Sequence, residues 1–354
     1  MQADRSNELR EHVAEAYARQ TPLCITSSGS KAGLGRPVNA AQLEVAAHRG
    51  VTHHEPTELV LTARAGTPLA EIEQLLAAHD QMLPFEPPHL GESATLGGSI
   101  ACNLSGPRRP YTGAVRDFVL GCRIINGKGE VLHFGGEVMK NVAGYDASRL
   151  MAGAQGTLGV LLDISLKVLP VPACEITMVR SCSAAEALQQ MNRLAGQPLP
   201  LSASAWVEGV LYLRFSGSDS AMLAIPGRVP GEVLGNAEAR SFWLELRERQ
   251  LPFFMASDVW RIALPQAAAQ PSIAGRWLLE WGGAQRWLHS DAPVDEVQTA
   301  AAALGGHATL LRRGEHPRAL LHPLAPELMH VHRRLKQAFD PAGILNPGRL
   351  YEEL

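Results

Sequence analysis

The chain has 354 residues, a formal net charge of −3 and 19% charged residues. Its length exceeds one ordinary hydrophobic core and points to two domains, and the near-neutral balance argues against nucleic acid as the main partner. Five scattered cysteines (Cys24, Cys102, Cys122, Cys174, Cys182) form no C-x-x-C pair, which argues against a disulfide framework or an iron–sulfur cluster held by this chain and for a reducing, cytoplasmic setting. The polar N-terminus does not read as a signal peptide. No apolar run reaches the roughly 18–20 residues of a spanning helix, so membrane association would be peripheral or through a partner.

In chain order, residues 9–18 predict a helix carrying Leu9, Val13 and Ala16. Residues 23–26 form a short apolar strand ending at a glycine loop, Ser27-Ser28-Gly29-Ser30-Lys31-Ala32-Gly33-Leu34-Gly35. A strand at 59–63 stops at Gly66-Thr67-Pro68. Thr67 then reads as the N-cap and Pro68 as the first residue of a helix with Leu69, Ile72, Leu75 and Leu76 on one face. The prolines of 84–89 exclude helix and make an extended linker. It leads to a second glycine loop, Thr95-Leu96-Gly97-Gly98-Ser99-Ile100-Ala101-Cys102-Asn103. Between 118 and 134 two apolar runs flank Asn126-Gly127-Lys128-Gly129, a hairpin signal. A third loop, Gly153-Ala154-Gln155-Gly156-Thr157-Leu158-Gly159, precedes a strand at 162–168, where alternation predicts half-burial. Pro170-Val171-Pro172 closes this region.

Beyond it, Ser183 and Glu186 form a capping box for a helix with Ala187, Leu188, Met191 and Leu194. Strands at 205–207 and 210–214, a helix at 237–249 and strands at 277–281 and 309–311 suggest a small α+β unit with helices on one face of an antiparallel sheet. Trp243, Trp260, Trp277, Trp281 and Trp287 are expected in its core. In the last segment Leu328, Val331, Leu335 and Phe339 sit at helical spacing, Asp340-Pro341 stops the helix, and Asn346-Pro347-Gly348-Arg349 is a turn.

Glycine lets backbone approach a ligand closely, and three such loops beside apolar runs suggest a diphosphate held by backbone N–H groups, hence a dinucleotide. Any one loop alone could be an ordinary turn. There is no G-x-G-x-x-G after a strand and no G-x-x-x-x-G-K-[ST], and the third loop reads G-x-x-G-x-x-G. These spacings argue against a Rossmann NAD site and a P-loop.

The loops together with 84–88, Val115-Arg116-Asp117-Phe118-Val119-Leu120-Gly121 and the ending 339–349 resemble the vanillyl-alcohol oxidase-type (PCMH-type) FAD-binding proteins and their FAD-linked oxidase branch. Gly106-Pro107-Arg108-Arg109-Pro110 and the run from Gly135 to Asp146 are similar, more narrowly, to the FAD-binding subunit of bacterial glycolate oxidase (glycolate dehydrogenase). The resemblance runs nearly end to end. It implies an α+β fold: a PCMH-type FAD-binding domain of two α+β subdomains at 1–173, a small α+β cap domain with an antiparallel sheet at 174–325, and a C-terminal segment at 326–354 returning to the flavin. By position it implies that Gly29, Ser30 and Lys31 form the first phosphate loop and that Thr95, Gly97, Gly98 and Ser99 form the second. Gly153, Gly156, Thr157 and Gly159 would form the third, with the Val160 backbone at the adenine. Pro84 would line the flavin side, and Asn346 and Arg349 would return to the ring. The first loop lacks the histidine or cysteine that tethers flavin in many relatives, so noncovalent FAD is expected.

The resemblance also implies partners: a larger flavin subunit, which oxidises glycolate to glyoxylate, and an iron–sulfur subunit that takes the electrons towards the respiratory chain. No metal is expected. His307 lacks a second nearby histidine and an acidic partner, and His330 and His332, two apart, do not share a helix face. Arg108 and Arg109 could clamp a carboxylate, contact a partner or be solvated. Lys140 and Tyr145 could donate to flavin or substrate, or Tyr145 could be structural. No catalytic residue is identified, which favours electron relay or a supporting role. Three other readings stay open: a self-sufficient 2-hydroxyacid oxidoreductase, an NADPH-dependent reductase on this fold, and a scaffold without turnover.

Overall fold

The structure, a computed structural model, describes residues 3–136, 147–255, 258–312 and 318–354. It divides into two compact units, one formed by Met1–Leu104, Ala114–Val171 and Pro323–Leu354, the other by Ser105–Gly113 and Pro172–His322.

In the first unit five antiparallel strands run in the order Val51–Glu55, Val60–Arg64, Val160–Lys167, Val119–Ile125, Val131–Gly135. The last two form the hairpin expected around Asn126-Gly127, with Ile125 opposite Val131. The central strand is buried on both faces, not one. Ser165, on the face that the alternation leaves to solvent, is buried and shares a 2.8 Å hydrogen bond with the Thr62 hydroxyl, while Asp163 accepts from Arg123 Nε at 2.5 Å. Polar residues enter this strand because each finds a partner there. The helix Leu69–Ala77 begins one residue later than expected, with Pro68 at the N-cap. Thr67 does not cap it. Its hydroxyl accepts the N–H of Gly50 at 2.9 Å, and the side chain is fully buried.

A smaller parallel pair, Leu23–Thr26 with Ala41–Glu44, carries the first glycine loop between its strands. The C-terminal tail joins it. Leu345 bridges Leu23 in parallel; the Leu23 N–H donates to the Ile344 carbonyl at 2.7 Å and the Asn346 N–H to the Leu23 carbonyl at 3.0 Å. More than 300 residues of sequence separation close into one small sheet.

The second unit is a nine-stranded sheet whose recorded pairings are all antiparallel. The helix Ala184–Ala195, which starts with the expected Ser183–Glu186 capping box, buries Ala187, Met191 and Leu194 against Leu211, Leu213 and Leu279. The helix Asn236–Glu248 lies on the opposite face. Its Phe242 stacks on Tyr212, the residue between Leu211 and Leu213, and Trp243 Nε1 donates to Thr177 Oγ1 at 3.0 Å. The expectation of helices on one face is therefore revised: both helices are amphipathic, and pattern alone does not say which side of a sheet each covers. Trp243, Trp260, Trp281 and Trp287 are buried in this unit, and Trp277 is partly buried.

Candidate cofactor site

The three glycine loops converge in the first unit around a cleft of about 940 Å³, counting its open mouth. Its lining includes Gly29, Ser30 and Lys31 from the first loop, Thr95, Gly97 and Gly98 from the second, Gly156 and Gly159 from the third, and Asn346 and Arg349 from the tail. Close backbone packing builds it. A Cβ at Gly97 would meet the Cβ of Ala65 at 2.7 Å, so the second loop lies directly on the segment that follows Val60–Arg64. Gly156 has φ +75°, and a Cβ there would lie 2.7 Å from Asn346 Nδ2.

The tail braces the loops. Asn346 Oδ1 accepts the N–H of Ile25 at 2.7 Å, and its Nδ2 donates to the Gln155 carbonyl at 2.7 Å. Arg349 donates to Gln155 Oε1 at 3.1 Å, to the Arg36 carbonyl at 2.7 Å and to the Lys31 carbonyl at 3.3 Å. One guanidinium thus spans the first and third loops with its fixed fork of donors. Burial lowers its pKa from the ordinary value. Lys31 Nζ donates to the His89 carbonyl at 3.0 Å and to Ser30 Oγ at 3.2 Å, which holds the ammonium beside the first loop.

The lining suits a dianionic diphosphate. Among the described residues it contains two cations, Lys31 and Arg349, and no carboxylate. Ser99, within the second loop, is fully buried, and its hydroxyl has no hydrogen-bond partner among the described residues. Cys24 and Cys102 also line the cleft. Burial raises the Cys24 pKa, which keeps the thiol protonated and a poor nucleophile, consistent with a noncovalent cofactor.

Five expected residues do not line the cleft: Pro84, Ser99, Gly153, Thr157 and Val160. Gly153, at φ +96°, packs on Asn103. Thr157 is buried and donates its hydroxyl to the Ala154 carbonyl at 2.7 Å, and Val160 is fully buried at the start of its strand. Gln155 was not singled out, although it touches both Asn346 and Arg349; lying between two named glycines, it could have been found as the only long polar side chain in the third loop. Lys336 was also missed. Its buried ammonium donates to the Thr157 carbonyl at 2.9 Å and pairs with Asp340 at 2.8 Å, and the signal was a lysine four residues before the helix-stopping aspartate.

Elsewhere, Arg108 is buried and paired with Glu175 and Ser216, so its guanidinium already holds a carboxylate of this chain. Arg109 lies over the Trp281 ring at 4.5 Å. His307 does have a second histidine close in space: the His322 ring is 6.5 Å away, brought there by the pairing of His307–Arg312 with Arg318–Leu320. Lys140 and Tyr145 lie outside the described residues.

Residues 1–135 match the family described as FAD binding domain, and residues 315–350 match the C-terminal domain of FAD linked oxidases. Glycolate oxidase subunit GlcE of Escherichia coli is 49% identical over 355 residues, covering 100% of this chain and 99% of that protein. Glycolate oxidase subunit GlcD of Bacillus subtilis is 32% identical over 120 residues, 34% of this chain and 26% of its own length. A D-lactate dehydrogenase of Archaeoglobus fulgidus is 26% identical over 353 residues, 82% of this chain and 76% of that one. In fold, the chain is like alkyldihydroxyacetonephosphate synthase, with a TM-score of 0.65 at 16% identity over 96% of this chain and 74% of that one. The cofactor is FAD, and the chain is an FAD-linked oxidoreductase of α+β fold. With 49% identity from end to end, it belongs to the family of GlcE subunits of glycolate oxidase.

Proposed function

We propose that this chain is the FAD-binding subunit of a multi-subunit glycolate oxidase, which oxidises glycolate to glyoxylate and similar 2-hydroxy acids to the corresponding 2-oxo acids. The partners in this reading are a larger flavin subunit and an iron–sulfur subunit that receives the electrons. The FAD domain would comprise 1–173 together with the tail at 326–354, and 174–325 would be the cap. Bound FAD would supply two-electron acceptance with onward transfer of single electrons. The chain's own residues hold it. The first and second loops and the backbone of the third would cradle the diphosphate, Lys31 and Arg349 would balance its charge, and the apolar walls would keep water from the ring.

The observation that carries the cofactor site is the lining itself: among the described residues, two cations, no carboxylate and three backbone loops. The same lining supports relay over direct substrate oxidation, because among the described residues it offers no histidine or carboxylate to take the hydroxyl proton of a 2-hydroxy acid. No helix of the described residues is long and apolar enough to cross a membrane, and membrane contact through partner subunits is part of the proposal.

The purified chain is expected to be yellow and to release intact FAD on denaturation. Glycolate should bleach this flavin only when the partner subunits are added. Bleaching by glycolate in the isolated chain would replace relay by direct oxidation, bleaching by NADPH would support a reductase, and a colourless chain that refuses FAD would leave a scaffold.

A further inference from the structure

Lys336 belongs to the helix Pro326–Phe339, yet its side chain is buried. Its ammonium meets three oxygens from two segments of the fold. It donates to the Thr157 carbonyl at 2.9 Å, to the Leu345 carbonyl at 2.6 Å and to Asp340 Oδ2 at 2.8 Å. Three donors are thereby matched by three acceptors. Asp340, also buried, accepts the N–H of Ile344 at 3.1 Å and that of Leu345 at 2.7 Å. One acceptor of Lys336 therefore lies in the third glycine loop, and the other two lie at the base of the tail. At the cleft the same two segments meet again through Asn346 and Arg349 on Gln155.

A buried ion pair is a poor device for stability alone, since well-packed apolar side chains often do as well. What an apolar pair cannot do is hold two separate backbone carbonyls on one point. We propose that Lys336 is a positioning residue for the cofactor. Its ammonium locks the third glycine loop to the C-terminal tail and so preforms one wall of the FAD cleft. It does not touch FAD. The proposal rests on that cleft being the FAD site.

The test uses the full-length chain. Lys336→Met alone leaves Asp340 buried and unpaired, so folding is expected to suffer. Lys336→Met combined with Asp340→Asn removes both charges and is the informative variant. Without FAD it is expected to fold but to melt below the parent, because two buried carbonyls lose their donor and asparagine accepts only one of the two backbone N–H groups. Its dissociation constant for FAD, read by flavin fluorescence, is expected to rise at least tenfold, and the amides of Asn346 and Arg349 should exchange faster in the FAD-free chain. Parental affinity in this variant overturns the proposal. So does weaker binding with unchanged exchange at those amides, which would leave general destabilisation as the whole effect.

If the double variant does not fold, the parent chain decides. FAD is expected to slow exchange at Thr157, Asn346 and Arg349 together, and unchanged exchange at the tail amides overturns the lock. A parent chain that binds no FAD is a different failure, of the cofactor site itself.

Discussion

A methyl group added at Gly97 would lie 2.7 Å from the Cβ and 2.9 Å from the carbonyl oxygen of Ala65, and neither belongs to a flexible side chain. One added at Gly98 would meet only the Thr95 hydroxyl at 3.3 Å and Lys31 Cδ at 3.6 Å, on the cleft side. The two neighbours therefore fail differently. Gly97→Ala forces backbone apart and is expected to cost about 1–3 kcal/mol in denaturant unfolding of the FAD-free chain. Gly98→Asp should leave that unfolding nearly unchanged but place a carboxylate beside Lys31, cancelling a cation and repelling the diphosphate. FAD affinity should fall by about 100-fold or more, the scale of about 2.7 kcal/mol, so that the protein purifies without flavin absorbance. Normal flavin content in Gly98→Asp would refute the loop assignment. The glycines were legible because close approach demands the residue itself. Which of the pair packs on backbone was not legible, because that depends on Ala65, more than thirty residues away.

Secondary structure elements show the same division. The Ser183–Glu186 capping box was readable because both partners lie within one turn, and Ser183→Ala is expected to cost about 1 kcal/mol in thermal unfolding with FAD binding unchanged. Thr67 carried an equally good local signal and was misread. The Gly50 N–H, from another segment, takes its hydroxyl, and Pro68 caps the helix with no side-chain hydrogen bond. Thr67→Val should therefore destabilise the chain by about 1–3 kcal/mol, by leaving a buried N–H without an acceptor, while Thr67→Ser keeps the hydroxyl and most of the stability. Equal melting of the two variants would remove the Thr67 hydroxyl as a source of stability. The tail followed the same rule. Its turn at Asn346-Pro347-Gly348 was plain in sequence, but its pairing with Leu23–Thr26 and the Lys336–Asp340 pair depend on contacts that no local pattern encodes.

At the scale of the whole chain, the alternation of texture around Pro170-Val171-Pro172 was visible, whereas the structure places Ser105–Gly113 with the second unit, where Trp281 Nε1 donates to the Gly106 carbonyl at 3.0 Å. The first unit is expected to carry its own pH sensitivity, centred on His48. This ring is fully buried, and its Nδ1 accepts the N–H of Arg5 at 3.0 Å, tying the N-terminal segment to the sheet. Asp163 and Asp4 stand 3.9 Å and 3.7 Å from its two nitrogens and favour the charged form, but burial outweighs them, with Arg64 and Arg123 adding to it. The folded chain thus holds His48 below its ordinary value of 6.5. Below 6.5 the unfolded chain binds the extra proton and the folded chain resists it, so stability falls as pH drops from there through the folded value. Asp4 adds a separate window. Its pKa, held down to about 2 chiefly by hydrogen bonds from Ser6, gives stability that is lost only as pH falls from 3.8 towards that value. His48→Asn keeps an acceptor for the Arg5 N–H but cannot be charged. In denaturant unfolding of the FAD-free chain between about pH 7.5 and pH 4.5, the parent should lose stability on acidification and His48→Asn should lose less. Identical slopes in the two proteins would remove His48 as the source, because Asp4 titrates below this range.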